Sequence, residues 1–387
     1  MIKAKLKDKP LIFYLFSLYF ISKPFYMLPS GLPQVADAIM VIIIIIFLFN
    51  YNIKLNKMIF LSFLLILYVL LVNSIFAIIY SDSSFFISAM FYVFNILILI
   101  ITINLYRVHG IALLKFIFYG VVSSVFIQIL CSLFYTDSSA IRQTLFFNNP
   151  NQLGYYALLS LSLIYVINTK LQISNFQLFI YSIGCLYLTF LSVSNAAILA
   201  SILMIVLYFS IGIFNQKSFK YILLLLLVSI SLLIVFQLFE QQIRLTNMYE
   251  NIYYRFTTME VDLESISEER RYDRLTEYPQ YLIFGAGEGL YHERFGKGEI
   301  HSTLFSFLFS YGLIGFSILI FYLFLLIYKA NLIYYIPLLS IFIYGLTHNG
   351  IRQGSLWVIL GIIFVLSNKI KENGDKNAKD KLLLREG

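Results

Sequence analysis

The chain alternates between long runs of apolar residues and short polar segments. Several runs approach or exceed the roughly 20 residues that a helix needs to cross the hydrocarbon core of a bilayer. The period-2 alternation of barrel strands is not seen, and a helix satisfies its own backbone hydrogen bonds in lipid. The pattern predicts an all-α polytopic membrane protein with twelve spans, near residues 10–28, 36–50, 58–80, 84–105, 111–135, 152–168, 175–192, 195–214, 219–238, 302–328, 332–347 and 353–368.

Positive charge in the connections predicts the orientation of these spans. Lysines crowd the first nine residues, and a base occurs in every second connection, as expected for loops that stay in the cytoplasm. Both termini are therefore predicted to be cytoplasmic. The chain then divides into four parts: spans one to nine in 1–238, a large outer, periplasmic loop in 239–301, the last three spans in 302–368, and a cytoplasmic tail in 369–387.

Composition agrees with this class and narrows the partners. Only 12% of the 387 residues are charged and 60% are hydrophobic, whereas soluble domains carry about 25% charged residues. The net charge of +8 belongs to the predicted cytoplasmic face, because the stretch from Glu240 to His301 holds twelve acids and seven bases. Membrane lipids are the expected surroundings of the chain, and nucleic acid is not an expected partner.

The two predicted faces differ in the kind of base they carry. The inner face uses lysine almost throughout, whereas eight of the ten arginines fall on the outer face. A guanidinium group is always charged, and its planar fork binds phosphate oxygens in pairs. Two interpretations stay open: these arginines bind an anionic ligand, or they form ion pairs with the acids of the same face. The eight are Arg142, Arg244, Arg255, Arg270, Arg271, Arg274, Arg294 and Arg352.

One histidine stands at the mouth of an apolar span, in the stretch EIHSTLFSFLFSYGLIGF. His301 lies where the outer loop meets the span, and Glu299 is close enough in sequence to orient its ring or to stabilise its protonated form. No pair among the four histidines has the spacing of metal ligands, so no metal site is predicted. A histidine here is either a hydrogen-bonded structural residue or a general base.

A second outer segment, RQTLFFNNPNQLG, ends in a turn signal followed by a predicted helix start. The N-terminus of a helix presents free N–H groups and a partial positive charge to an anion. Asn149 and Asn151 lie in the turn, and Arg142 lies upstream of it. The segment is either an ordinary interfacial turn and cap or part of an anion site.

Two further outer segments add candidate residues. In ERRYDRLTEYPQYLIFGAGEG, Arg270 and Arg274 are four residues apart and are predicted to share a helix face. Gly285 and Gly287 would let the backbone approach a ligand closely. In THNGIRQGSLW, the last outer connection is predicted to carry His348 and Arg352.

These features together predict an outward-facing membrane site with several arginines and a histidine. A lipid pyrophosphate fits such a site. Sugar transfer from this donor needs a base for the attacking hydroxyl, a role that suits histidine. It also needs positive charge for the departing pyrophosphate, which forked arginines supply.

The order of these segments resembles the O-antigen polymerase and O-antigen ligase family of envelope polysaccharide proteins. The family's histidine motif is matched by His301 and Ser302, with Gly312 and Gly315 at the spaced small positions. FFNNPNQLG is similar to the family's Asn-Pro-Asn segment, and RRYDRLTEYPQYLIFGAG is similar to its arginine, proline, Gly-x-Gly stretch. In motif terms the resemblance covers about residues 140–320.

The resemblance implies a multi-helix glycosyltransferase of the bacterial inner (plasma) membrane that needs no metal or cofactor. It acts on undecaprenyl-pyrophosphate-linked oligosaccharides, with a chain-length regulator and a flippase as protein partners. It implies that His301 is the base, and that Arg142 and Arg270 or Arg274 bind the pyrophosphate. One departure is that Asn195 stands where many members have the arginine of Ser-Arg-Gly, so Arg352 or Arg142 would have to replace it.

The leading prediction is a polymerase that moves the growing glycan onto the non-reducing end of an incoming lipid-linked repeat unit. A ligase that transfers finished glycan to a lipid A core is the alternative within the family. A flippase or transporter is the alternative from another class. Charged residues at mid-membrane and repeated halves, which are typical of transporters, are not found in the sequence.

Overall fold

The computed structural model describes residues 9–29, 31–53, 57–135, 142–215 and 270–368, and all regular structure within these ranges is helical. Short helical turns at Arg274–Glu277, Pro279–Tyr281 and Tyr291–Phe295 precede the last three long helices. The long helices are α1 (Lys9–Ser22), α2 (Val35–Asn50), α3 (Lys57–Tyr80), α4 (Ser84–His109), α5 (Ile111–Ser132), α6 (Pro150–Leu171), α7 (Asn175–Ser192), α8 (Asn195–Asn215), α9 (Thr303–Ile327), α10 (Leu332–Thr347) and α11 (Gly354–Ser367).

Each of these helices overlaps one predicted span. Five of them, α3, α4, α5, α7 and α9, are long and apolar enough to cross a membrane. The prediction of a helical chain with several membrane-crossing segments is confirmed for the described residues, whereas the count of twelve spans stays a prediction. The predicted span 219–238 and the tail 369–387 lie outside the described residues.

The predicted end of the first span was wrong. The first span was predicted to reach residue 28, but α1 ends at Ser22. Pro24 explains the early end, because the residue before a proline is pushed out of the helical conformation. The other predicted ends agree with those of the described helices to within four residues.

The centre of the bundle is formed by α4, α6 and α11. In α6, every residue from 153 to 167 is buried, and in α11 the same holds from 357 to 365. The polar side chains of α6 bond to neighbouring helices: the Tyr156 hydroxyl lies 2.6 Å from Ser124 Oγ, and the Tyr165 hydroxyl lies 2.7 Å from Ser182 Oγ. Such interhelical hydrogen bonds join helices where lipid offers no polar partner.

One end of the bundle gathers most of the longer connections, and we call it the loop end. It carries residues 23–29, 142–149, 193–194, 270–302 and 348–353. These segments touch one another: the Tyr26 N–H donates to the Phe146 carbonyl (3.1 Å), and Asn148 Nδ2 donates to the Leu28 carbonyl (2.9 Å). Segments far apart in sequence therefore meet at one surface.

The segment 282–287 docks against a break in α9. Gly312 has φ 63° and ψ −177°, which interrupts the helix inside its apolar run. The N–H groups of Ala286 and Gly287 donate to the carbonyls of Phe309 and Ser310, both at 2.9 Å. In return, the Leu313 N–H donates to the Leu282 carbonyl at 2.7 Å. The segment thus supplies backbone partners to a broken helix, as buried protein must do at membrane depth.

This docking corrects the expected role of the Gly-x-Gly stretch. Gly285 and Gly287 were predicted to let the backbone approach a ligand, but the backbone that comes close is that of α9. A Cβ atom on Gly285 would fall on the Ser310 carbonyl oxygen, and one on Gly312 would fall on the Ile283 carbonyl oxygen. The glycines of two separate motifs therefore form one contact.

Gly312→Ala is expected to destabilise the protein more than Gly296→Ala. Both glycines have left-handed backbones (φ 63° and 67°), where a Cβ atom costs about 1 kcal/mol or more. Only Gly312 also has a carbonyl oxygen in the way, since nothing lies within 4 Å of the Cβ position at Gly296. The test is the melting temperature and monodispersity of both variants in detergent; equal melting temperatures would show that α9 tolerates the extra atom.

Candidate functional site

Four basic residues meet at the loop end, and we call Arg142, Arg270, His301 and His348 the basic cluster. The His301 N–H donates to the Arg270 carbonyl at 3.1 Å. The Arg270 guanidinium donates to the carbonyl of Thr347, the residue before His348, at 2.9 Å. Arg142, Arg270 and His301 all act electrostatically on His348. Two residues of the predicted loop are thus brought beside the α10–α11 connection.

His348 is a largely buried imidazole at the end of α10. Its ring stacks on Tyr344 (centroids 4.6 Å apart, 16° between planes), and Tyr344 stacks on Tyr155 of α6 (4.4 Å, 7°). Burial, as the larger cause, and the neighbouring charges of Arg270, His301 and Arg142 together lower the pKa of His348 to about 3. The imidazole is therefore neutral near pH 7.

Arg142 is held between the start of α6 and the turn that follows α7. Its Nη2 donates to Asn151 Oδ1 at 2.6 Å, and its Nε donates to the Ser192 carbonyl at 3.2 Å. Asn151 also receives the Tyr344 hydroxyl on its carbonyl (3.0 Å), and Asn149 caps α6 by accepting the Gln152 N–H (3.0 Å). Both asparagines that were predicted to support the site therefore help to hold Arg142 in place. Asn151 bonds to its guanidinium, and Asn149 caps the helix that carries Asn151.

Arg142 also lies near Asn195, the position at which the sequence departs from the Ser-Arg-Gly motif of the family that it resembles. Its bond to Ser192 is three residues before Asn195, which begins α8. Of Arg142 and Arg352, Arg142 is the one whose side chain bonds to the turn before Asn195. Arg352 has other partners.

Arg352 forms a double ion pair with Glu288 and Glu299. Its Nη2 donates to one carboxylate oxygen of each, and the distance to Glu299 Oε1 is 3.0 Å. Glu288 is 1% exposed and also accepts the Tyr311 hydroxyl (2.7 Å). Burial alone would lower the pKa of Arg352, but the two carboxylates outweigh burial and raise the pKa well above its usual value. A pyrophosphate would have to compete with both acids, so Arg352 is not part of the basic cluster.

Glu299 pairs with Arg352. Its Oε1 also accepts hydrogen bonds from Ser306 Oγ (3.1 Å) and from Asn349 Nδ2. These bonds join the loop to α9 and to the α10–α11 connection, and the expected support of the His301 ring by this carboxylate stays a prediction.

Arg274 is a core residue of the loop. Arg270 and Arg274 do not share a helix face, because Arg271 (φ 63°) interrupts the helical path between them. Arg274 is 2% exposed, donates to the Gly298 carbonyl at 2.7 Å, and lies over the ring of Phe295 at 5.0 Å. These contacts favour a structural role, and Arg274 lies outside the basic cluster.

Arg294 fastens the same loop to the ends of α3 and α4. Its guanidinium carbon lies 4.7–5.8 Å from the centroids of five aromatic rings, a cation–π arrangement that stabilises the docked loop. The five rings belong to Phe76, Tyr80, Phe85, Tyr281 and Phe295. Sequence analysis grouped Arg294 with the other arginines of the predicted outer face but found no role for it.

The described arginines of this face therefore divide into two groups. The ion-pair interpretation left open by the sequence fits Arg352, and anion binding stays a prediction for the others. Arg352 pairs with acids, and Arg271, Arg274 and Arg294 bind loop carbonyls or aromatic rings. Arg142 and Arg270 remain with the histidines. Arg244 and Arg255 lie outside the described residues.

An apolar cavity of about 560 Å³ begins beside the basic cluster and follows α9 and α10 into the bundle. At the loop end its described lining includes Tyr155, Thr303 and Gly345, and at the opposite end it includes Ile327 and Leu332. The Thr303 hydroxyl donates to the His348 carbonyl at 3.0 Å, which ties the rim of the cavity to the cluster. Thr303 and Ile327 are 24 positions apart on α9, so the cavity follows roughly 36 Å of helix.

Sequence analysis missed the Tyr155–Tyr344–His348 stack and the cavity. Tyr344 and His348 are four residues apart, and residues at this spacing meet on one side of a helix, which was an available signal. The contact with Tyr155 joins helices far apart in sequence and has no local signature. No protein-family model and no curated protein matches the chain.

Proposed function

We propose that the chain is a membrane glycosyltransferase that polymerises lipid-linked oligosaccharide repeat units. It transfers the growing glycan from undecaprenyl pyrophosphate to the non-reducing end of an incoming lipid-linked unit. The observation that carries the proposal is the position of the basic cluster at the rim of the apolar cavity. A ligand that is anionic at one end and a long hydrocarbon at the other matches both features at once.

The guanidinium groups of Arg142 and Arg270 would bind the pyrophosphate. A guanidinium offers five N–H donors, and the hydrogen bond from Arg270 to Thr347 uses one of them. Charge builds up on the pyrophosphate as the bond to the sugar breaks, and fixed positive groups stabilise that charge most in the transition state. The polyprenyl chain would lie along the cavity between α9 and α10.

His301 would act as the general base. The acceptor hydroxyl oxygen forms a bond to the anomeric carbon, its proton passes to the imidazole, and the pyrophosphate leaves with the electron pair of the broken C–O bond. His301 is exposed and its backbone is bonded to Arg270. The next residue, Ser302, caps α9 by accepting the Phe305 N–H (3.4 Å), so the base stands on a fixed helix end.

The proposal includes twelve spans in the bacterial inner membrane, cytoplasmic termini and an outward-facing loop end. The described helices support one feature of this topology, the return of the chain to the loop end after α8. α8 starts at the loop end, and its 21 residues reach the opposite end of the bundle. Arg270, which follows α8 in the chain, lies at the loop end again, so the chain returns to that end between them. The proposed span 219–238 supplies the return. A flippase would deliver the lipid-linked unit, and a chain-length regulator would limit the polymer.

The test is an assay of the purified protein in vesicles that contain a synthetic lipid-linked repeat unit. A ladder of products with two or more units is the expected result, and it should persist in the presence of EDTA. A ladder that needs a divalent cation would contradict the metal-independent reaction. Transfer that occurs only onto added lipid A core would identify a ligase, and movement of the lipid across the vesicle without any new bond would identify a transporter.

A further inference from the structure

Glu299 has one carboxylate oxygen that is fixed and one that is free. Its Oε1 accepts hydrogen bonds from Ser306 Oγ (3.1 Å), Arg352 Nη2 (3.0 Å) and Asn349 Nδ2. Its Oε2 has no hydrogen-bond partner among the described residues, although a carboxylate can accept about four hydrogen bonds. The side chain is 25% exposed, and Oε2 is not itself buried. The carboxylate is therefore held by one oxygen and offers the other to a ligand.

This free oxygen belongs to a side chain that lies beside the basic cluster. Glu299 and Arg270 bond to residues two positions apart on the α10–α11 connection, and the Cα atoms of two such residues are at most about 8 Å apart. Ile300 is buried (1% exposed), whereas its neighbours Glu299 and His301 are partly and fully exposed. Successive side chains of an extended segment point to opposite sides. Glu299 and His301 therefore face the same side of the loop.

The charge around this oxygen differs in sign from that of the basic cluster. Glu288, Glu299 and Arg352 together carry two negative charges and one positive charge, which leaves one negative charge in excess. Arg142 and Arg270 make the cluster positive. An anionic group is therefore favoured at the cluster and disfavoured at Glu299. A neutral hydroxyl group, in contrast, can donate a strong, charge-assisted hydrogen bond to the carboxylate.

We propose that Glu299 is an acceptor-binding residue, whose free oxygen accepts a hydrogen bond from a sugar hydroxyl of the acceptor glycan. The bond holds the acceptor on the side of the loop that His301 faces, so the reacting hydroxyl is directed to the base. This assignment rests on the proposed function, in which the acceptor must be held beside the base. Glu299 neither takes the proton nor binds the pyrophosphate, and no covalent bond to it is formed or broken.

The experiment separates donor from acceptor in the vesicle assay. The donor is a lipid-linked repeat unit whose accepting hydroxyl is methylated, and the acceptor is the same oligosaccharide without lipid or pyrophosphate. Glu299→Gln should raise the KM for the acceptor by about 10–100-fold, the usual effect of losing a hydrogen bond to a charged group, with the KM for the donor nearly unchanged. Asp273→Asn is the matched control, because it removes a carboxylate from the same loop that pairs with Lys297 instead. It should leave both KM values nearly unchanged.

A second measurement uses the unmodified full-length protein and needs no transfer. A water-soluble carbodiimide with an amine labels accessible carboxylates, and mass spectrometry locates the label. The soluble oligosaccharide should reduce the label at Glu299 severalfold and leave the label at Asp273, which is similarly exposed (21%), unchanged. Protection of Glu299 without any glycosyl transfer would contradict the proposed function and not this inference.

Two results would overturn the inference. One is equal labelling of Glu299 with and without the oligosaccharide, which decides the question even when Glu299→Gln cannot be purified. The other is a Glu299→Gln protein whose acceptor KM is unchanged, or rises no more than its donor KM, because the carboxylate would then only hold Arg352 and the loop in place.

Discussion

His301→Ala is expected to lower the rate of polymer formation by about 10²–10⁴-fold, the usual contribution of a general base. The variant should still fold, since the backbone hydrogen bond from residue 301 to the Arg270 carbonyl does not need the imidazole. Polymer length would be measured in the vesicle assay, together with binding of the lipid-linked donor. Donor binding should be nearly unchanged, because the loss is in the chemical step.

His292→Ala is the matched control for the base. His292 lies in the same loop, is exposed, and belongs to the short helix Tyr291–Phe295, outside the basic cluster. Its replacement should leave the rate within about twofold of the unmodified protein, as is usual for surface changes that alter stability little. Normal polymer from His301→Ala at normal expression would show that the imidazole is structural and that another group accepts the proton.

Arg270→Lys is expected to cut the rate by about 10–100-fold although the positive charge is kept. Hydrogen bonds to charged groups contribute about 1.5–3 kcal/mol each, and an ammonium cannot offer the paired donors of a guanidinium to two phosphate oxygens. Arg270→Ala should cost more, about 10²–10³-fold, as for removal of one preorganised donor to a developing charge. Initial rates over a range of donor concentrations would separate weaker binding from slower chemistry.

Lys297→Ala provides the comparison for simple loss of charge in the same loop. Lys297 forms an exposed ion pair with Asp273 at 2.7 Å, and exposed pairs contribute about 0–1 kcal/mol. This variant should keep nearly full activity. Equal losses in Lys297→Ala and Arg270→Lys would mean that the loop responds to net charge alone, and that Arg270 has no specific contact with the donor.

The helical fold could be predicted from the sequence because a bilayer imposes one rule on apolar runs: about 20 residues cross it, and they must satisfy their own backbone hydrogen bonds, as a helix does. The start of α9 at residue 303 was predicted to within one residue, because Ser302 is both part of the histidine motif and the N-cap of the helix. The rule failed at Ser22, where proline chemistry ended α1 early. Helix ends inside uniformly apolar sequence have only such local signals.

The site could be predicted only as a set of segments. Sequence order placed His301, Arg270, Arg142 and Arg352 on one face, but it could not sort them, because their partners come from distant helices. Arg352 was selected by its charge, and the acids that neutralise it are 53 and 64 positions away. The glycines were selected as ligand contacts, and only the structure shows that they meet another backbone.

The break in α9 also bears on the order in which the protein is assembled. The segment 282–287 precedes α9 in the chain, yet its backbone hydrogen bonds are made to residues on both sides of Gly312. These bonds cannot exist until α9 is in place. A newly inserted α9 would thus carry unpaired carbonyl and amide groups until a segment already synthesised folds back onto it. His301 lies between that segment and α9, so the closure that completes the helix would also fix the position of His301, the proposed base.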